Sequence, residues 1–308
     1  MRSKKFYLKI SLTIAATALF VVGVFGLTER LATSLEPTII SIPASCPHET
    51  NISHVDSALV AEIVSSSIVR NRLPRETAFS ILNSTVRIST GTNRGTGVII
   101  WSGTASPQEY YTYVITNRHV VGTASTVTIE KFNYLNNQTI GETISYSGKI
   151  LARSSSRDLA LIEIRSPHPI GEVAHFITLE DFEKVSIYDP IFISGCSLGN
   201  TPAITNGNIS SITTDRHLVT GFAIFGNSGG GVFTLSGKIF GIVVQVTGVR
   251  VSNTLTIPEP NLTRVISSFV VCRWIASGPY KFIFGEGSFE EFLENKRAQD
   301  AQRFFRKK

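Results

Sequence analysis

Residues 226–242 read GNSGGGVFTLSGKIFGI. A polar, glycine-rich turn leads into a short apolar run, then a Ser-Gly-Lys turn, then a second apolar run. That is the pattern of a β-hairpin whose mouth carries Ser228 between glycines. Working outward, the same texture recurs. GVIIW (97–101), YTYVIT (111–116), STVTIEK (125–131), LALIEI (159–164), PIFISG (190–195), ISSITT (209–214), GGVFTL (230–235) and KIFGIVVQV (238–246) are short, rich in Val, Ile, Thr and Tyr, and separated by Gly, Asn, Ser and Pro. Regular short strands with turn signals predict an all-β barrel or sandwich. Strands do not alternate with long helices, which argues against a doubly wound α/β fold. No internal repeat is visible.

Composition bounds the function classes. The chain has 308 residues, 42% hydrophobic and 17% charged, a globular profile. The formal charge is +6, but many of the positive charges sit at the two ends. No basic stripe crosses the central part, so nucleic acid is not an expected partner. Cys46, Cys196 and Cys272 are scattered with no Cys-x-x-Cys and no paired Cys/His spacing, so no metal site is expected. Three cysteines allow at most one intramolecular disulfide, and the sequence does not choose the pair.

The first residues read as a targeting segment. Arg2, Lys4, Lys5 and Lys9 precede an uncharged apolar run, Ile10–Leu27. Its length and poor cleavage signals favour an uncleaved anchor, 1–27, over a cleaved signal peptide. The basic flank then stays in the cytoplasm and the rest lies outside it, periplasmic or extracellular, or secreted if the segment is cleaved. Residues 28–76 read as a tether with a short helix near 56–70, and 77–270 as the folded domain. Leu262, Val265, Ile266 and Phe269 stand at helical spacing after Pro260, which predicts a helix there. Residues 271–308 read as a helical extension. In its last stretch Ser288 and Glu291 form a capping box, and acidic residues lead while basic ones trail.

Three residues stand where acyl-transfer chemistry needs them. Ser228 sits in a turn whose glycines let backbone N–H groups point inward, so the amides of Gly226 and Ser228 are candidate oxyanion donors. Of six histidines, His119 alone directly follows a strongly apolar strand, in Val114-Ile115-Thr116-Asn117-Arg118-His119. Asp158 stands at the entry to the run 159–164. Each residue alone has a commonplace structural reading: a hairpin loop, a hydrogen-bonded histidine, a turn aspartate. Their chain order, His-Asp-Ser, is that of chymotrypsin-type peptidases and differs from subtilisins and α/β-hydrolases.

On these motifs the sequence resembles trypsin-like peptidases of the HtrA type. GTGVII (95–100) is similar to their first barrel strand, TNRHVV (116–121) to their histidine motif, RDLALIEI (157–164) to their aspartate motif and GNSGG (226–230) to their serine motif. ISGCSLGNTPAITNGNISSI (193–212) resembles the segment leading into their second barrel. The resemblance covers roughly 78–270 and implies two six-stranded antiparallel barrels. It implies His119 as base, Asp158 as its orienter, Ser228 as nucleophile, and the Gly226 and Ser228 amides as the oxyanion hole. No cofactor is needed, and the expected partners are peptide or unfolded protein substrates. The residues after Val270 are too few for the PDZ domain that such proteases carry. The specificity pocket is expected between 222–225 and 242–245, with Phe222, Ile242, Val243 and Val244 as its lining. Neither segment holds an acidic residue, which predicts cleavage after small or medium aliphatic residues.

Overall fold

In the computed structural model, residues 72–135, 139–250 and 256–305 are described. The expected anchor at 1–27 and nearly all of the tether, including the helix at 56–70, lie outside them. Among the described residues, no helix is long and apolar enough to cross a membrane.

Twelve antiparallel strands close into two barrels. In the first, β1 (Thr85–Ser89), β2 (Arg94–Ser106), β3 (Glu109–Thr116), β4 (Thr126–Leu135), β5 (Thr139–Ser154) and β6 (Leu159–Ser166) join in the order β1-β2-β3-β6-β5-β4. In the second, β7 (Pro190–Gly195), β8 (Ala203–Ile212), β9 (Arg216–Val219), β10 (Gly231–Thr234), β11 (Ile239–Arg250) and β12 (Thr256–Ser267) join as β10-β11-β12-β9-β8-β7. This is the double barrel expected from the sequence.

The apolar runs are continuous rather than alternating because several strands bury both faces. On β3, Val114 points into the first barrel with Ile88, Ile129 and Ile162. Its neighbour Ile115 points outward, into a cluster that joins Leu161 of the first barrel to Phe233, Ile242 and Ile266 of the second. The second barrel is filled by Ile193, Val232, Phe240, Val243 and Val265. Each fully buried Leu, Ile or Phe contributes about 1.5–3 kcal/mol by leaving water.

Five α-helices decorate the barrels among the described residues: α1 (Arg75–Ser84), α2 (Arg118–Val121), α3 (Leu179–Glu183), α4 (Ser268–Ala276) and α5 (Phe289–Phe305). The helix expected after Pro260 is a strand as far as Ser267, and α4 begins only at Ser268. Thr263–Ile266, within β12, pair with β11 on one side and β9 on the other, which closes the barrel. The adjacent pair Val265–Ile266 mimics helical spacing, but each residue fills a different face: Val265 the barrel interior, Ile266 the cluster outside it. Tertiary pairing overrides the local pattern.

The last stretch is helical, as expected, and the Ser288 hydroxyl accepts the Glu291 N–H at 3.0 Å. It is not a free surface helix. Phe289 and Leu293 are buried, and Phe289 packs on Trp101 with ring centroids 4.5 Å apart. Lys296 donates to Glu163 at 2.7 Å. Glu163 lies on β6 with its side chain almost fully buried, and it also accepts from the Tyr113 hydroxyl at 3.2 Å and Arg165 Nε at 3.2 Å. Burial beside that carboxylate pushes the Tyr113 phenol far above its ordinary range.

Candidate active site

His119 lies in α2, a single turn that follows β3 directly. Asp158 immediately precedes β6, the strand paired with β3 from Thr116↔Ala160 onward. Strand pairing therefore sets the two side by side. The Asp158 backbone is left-handed, with φ 56°, a conformation that costs most L-residues about 1–2 kcal/mol and that Asp tolerates better than most. Two donors hold it there: the Arg118 N–H at 3.2 Å and Asn117 Nδ2 at 3.0 Å both donate to the Asp158 carbonyl.

The carboxylate then grips one residue twice. His119 N–H donates to Asp158 Oδ1 at 2.9 Å, and His119 Nδ1 to Oδ2 at 2.7 Å. An ionised carboxylate accepts only, so Nδ1 carries the ring proton in this contact. The ring is half exposed, so Nε2 is within reach of the cleft.

Ser228 comes from the second barrel, in the turn between Ile224 and Gly230. The turn is closed internally by Asn227 N–H to Ile224 O at 3.1 Å and Gly230 N–H to Asn227 O at 2.8 Å. Glycine is required at two places. Gly226 has φ 99°, and a Cβ there would lie 2.3 Å from the Cys196 carbonyl. Gly229 has φ 84°, and a Cβ there would lie 2.2 Å from Thr116 Oγ1 and 3.1 Å from the Asn117 amide nitrogen. Gly229 thus touches the residues just before His119, which brings the serine turn to the histidine turn.

One residue ties the barrels together at this point. Thr96 on β2 donates its N–H to the Ser228 carbonyl at 2.9 Å and its hydroxyl to the Gly226 carbonyl at 2.7 Å. The same hydroxyl accepts the Cys196 N–H at 2.8 Å, and the Thr96 carbonyl accepts the Thr116 hydroxyl at 2.7 Å. Sequence reasoning did not single out Thr96. Its signal was there: a polar residue between two glycines at the head of an apolar strand.

Ser228 and His119 are not hydrogen-bonded to each other among the described residues. The Ser228 hydroxyl donates to the Val244 carbonyl on β11 at 3.4 Å. The Gly226 and Ser228 N–H groups have no acceptor among the described residues. The Phe225 carbonyl accepts the Leu198 N–H at 2.6 Å, so in a trans peptide the Gly226 N–H points the opposite way.

Of the four residues expected to line the specificity pocket, Phe222 is partly exposed while Ile242, Val243 and Val244 are buried. Val243 faces into the second barrel, and Ile242 and Val244 face the cluster outside it. Cys196 lies fully buried beneath the turn, and burial pushes its thiol up to about 12, which keeps it protonated and inert. Cys196 and Cys272 are both free.

Residues 95–242 match the trypsin-like peptidase domain family. Over these residues the chain is similar to trypsin-like peptidase domains. Among curated relatives, the peptidase domain is similar to a probable periplasmic serine protease, do/HhoA-like, of Haemophilus influenzae: 23% identity over 189 residues, 57% of this chain and 36% of that protein. It is also similar to the periplasmic serine endoprotease DegP of Salmonella typhimurium, with 24% identity over 221 residues, 68% of this chain and 42% of that protein. The chain therefore spans about two fifths of the length of the relatives it matches. Among solved structures, the inactive form of the Rv3671c protease of M. tuberculosis H37Rv aligns over 68% of this chain and 94% of that one, with 20% identity and a TM-score of 0.47.

Proposed function

We infer that the protein is a serine endopeptidase that hydrolyses peptide bonds through His119, Asp158 and Ser228. The observation that supports this reading is the double grip of Asp158 on His119, together with the approach of Gly229 in the Ser228 turn to Thr116 and Asn117 just before His119. In the reaction Ser228 Oγ attacks the scissile carbonyl and gives its proton to His119 Nε2. The Gly226 and Ser228 N–H groups take the oxyanion. His119 returns the proton to the leaving amine, and water, deprotonated by His119, releases the acyl group from Ser228. A turn of the Ser228 side chain from Val244 toward His119 begins the sequence.

Cleavage after small or medium aliphatic residues is part of the reading. Phe222 supplies an apolar wall, and no carboxylate lies among the residues expected to line the pocket, so a Lys or Arg head placed there would lack a counter-charge. The protein acts outside the cytoplasm, held at the membrane by residues 1–27; the basic flank and apolar run support this, as do relatives named periplasmic. The competing reading is a catalytically silent binding module on the same fold, which the Ser228–Val244 contact favours.

The test is a peptide-library digest by the full chain in detergent, with Ser228→Ala as control. Cleavage after Val, Leu or Ala that disappears in the variant is the expected result. Equal turnover by Ser228→Ala would refute the nucleophile, and cuts mainly after Lys or Arg would refute the specificity.

A further inference from the structure

Two large apolar side chains stand in solvent beside the nucleophile, and the chemistry above uses neither. Leu198 is 65% exposed and Phe225 is 73% exposed. They come from different segments, yet the Leu198 N–H donates to the Phe225 carbonyl at 2.6 Å. Leu198 has φ 54°, the left-handed region that a branched side chain normally avoids.

The surroundings hold this strained turn in place. Arg87 Nη1 donates to the Gly199 carbonyl at 2.6 Å, and Arg87 is itself fixed by a two-pronged bond to Glu130, at 2.7 and 2.9 Å. The Ser197 hydroxyl donates to Asn227 Oδ1 at 2.6 Å, and the Gly199 N–H to the Cys196 carbonyl at 2.9 Å. Leu198 is therefore presented rigidly, in a backbone geometry that the fold must stabilise, with its apolar surface in water. Strain and exposed apolar area together at a cleft point to recognition rather than packing.

We propose that Leu198 and Phe225 form an apolar subsite for the side chain that follows the scissile bond. This rests on reading Ser228 as a peptidase nucleophile. The direction follows from where the serine turn meets each barrel element. Gly229 N–H to Val243 O and Val243 N–H to Gly230 O, both 2.9 Å, are the bonds that tie the turn to β11. β10 pairs with β11 only as far as Ile242, and beyond the serine turn no further strand pairs with that side of β11 among the described residues, so an extended peptide could be laid there with the Val244 carbonyl as the next acceptor. The acyl half of a substrate laid there reaches Ser228 and passes Gly226. Gly226 is backed by Cys196 O, Leu198 N and Gly199 N, at 2.3, 2.8 and 3.1 Å from where its Cβ would be. The leaving half then crosses Leu198 and Phe225, and a Leu, Ile, Val or Phe in that half covers both.

The test compares two peptides that differ only in Leu or Ser after the cleaved bond. The wild type should prefer Leu by about tenfold in kcat/KM, as expected of a partly enclosed apolar contact. Leu198→Asn, which tolerates the left-handed backbone, and Phe225→Ser should each reduce that ratio toward one with unchanged thermal midpoints. A ratio of one in the wild type, or an undiminished ratio in both variants, overturns the proposal. Variants that change the sedimentation coefficient but not the ratio also overturn it and assign the surface to self-association. Binding of the same fluorescent peptides to Ser228→Ala separates the two readings. A Leu preference in binding with no wild-type cleavage sustains the subsite and removes the peptidase.

Discussion

The Ser228 hydroxyl donates to the Val244 carbonyl at 3.4 Å rather than to His119. The contact is at the long limit of a hydrogen bond. Rotation about one side-chain bond would turn the hydroxyl toward His119, the base of the proposed mechanism. A serine-directed phosphonate should label the wild type at Ser228. His119→Ala should slow labelling by about 10²–10⁴-fold, the usual worth of a general base. Labelling at the wild-type rate in that variant, read by mass spectrometry over time, would separate His119 from the reaction.

Thr96 is the hinge pin between the barrels. Thr96→Val keeps the shape and removes the hydroxyl, leaving the Gly226 carbonyl and the Cys196 N–H without their partner in a buried place. Each unpaired group costs about 1–3 kcal/mol. On the proposed mechanism, the expected outcome is a fall in kcat larger than any rise in KM, because the turn carrying Gly226 and Ser228 loses its fixed position. Circular dichroism should show the barrels intact. Unchanged kcat in a folded variant would show that the turn holds itself.

The C-terminal helix is fastened to the first barrel by a buried charge. Lys296→Met removes the ammonium that lies over the Tyr111 and Phe292 rings and leaves Glu163, whose side chain is 1% exposed, with Arg165 and Tyr113. Removing one partner of a buried pair typically costs about 3–5 kcal/mol. Arg165 remains, so the lower end, about 3 kcal/mol in urea unfolding, is expected. A change below about 0.5 kcal/mol, the size of an exposed pair, would show that the helix end frays away in solution.

His217 provides a pH dependence with a definite sign. It stacks on Phe240 at 4.4 Å in the second barrel, neither ring nitrogen has a hydrogen bond among the described residues, and burial lowers its pKa to about 4. An unfolded histidine titrates near 6.5. Between these values the unfolded chain binds a proton that the folded one refuses. Its contribution to stability is therefore complete above about pH 6.5 and declines as pH falls toward 4, by at most about 3 kcal/mol. His217→Leu should flatten the drop in unfolding free energy between pH 7 and 5. An equally steep drop in the variant would assign it to other groups.

The sequence by itself determined a good deal here. Short apolar runs broken by Gly, Asn and Pro define most strands, because a chain that buries strand faces on both sides must be apolar along them. The order His119, Asp158, Ser228 and the glycines around Ser228 name the candidate chemistry, because those residue types in that order have few uses. Other features depend on partners distant in the chain, which no local pattern contains. Val265 and Ile266 carry a helix-like spacing, and only pairing with β11 and β9 makes them a strand. Thr96 is one threonine among many until the second barrel places the Gly226 carbonyl above its hydroxyl. Ile242, Val243 and Val244 read alike as pocket lining, but strand alternation sends Val243 into the barrel and its neighbours to the other face. The exposure of Leu198 and Phe225 likewise follows from a backbone bond between segments 27 residues apart in the chain, a contact that only tertiary closure makes.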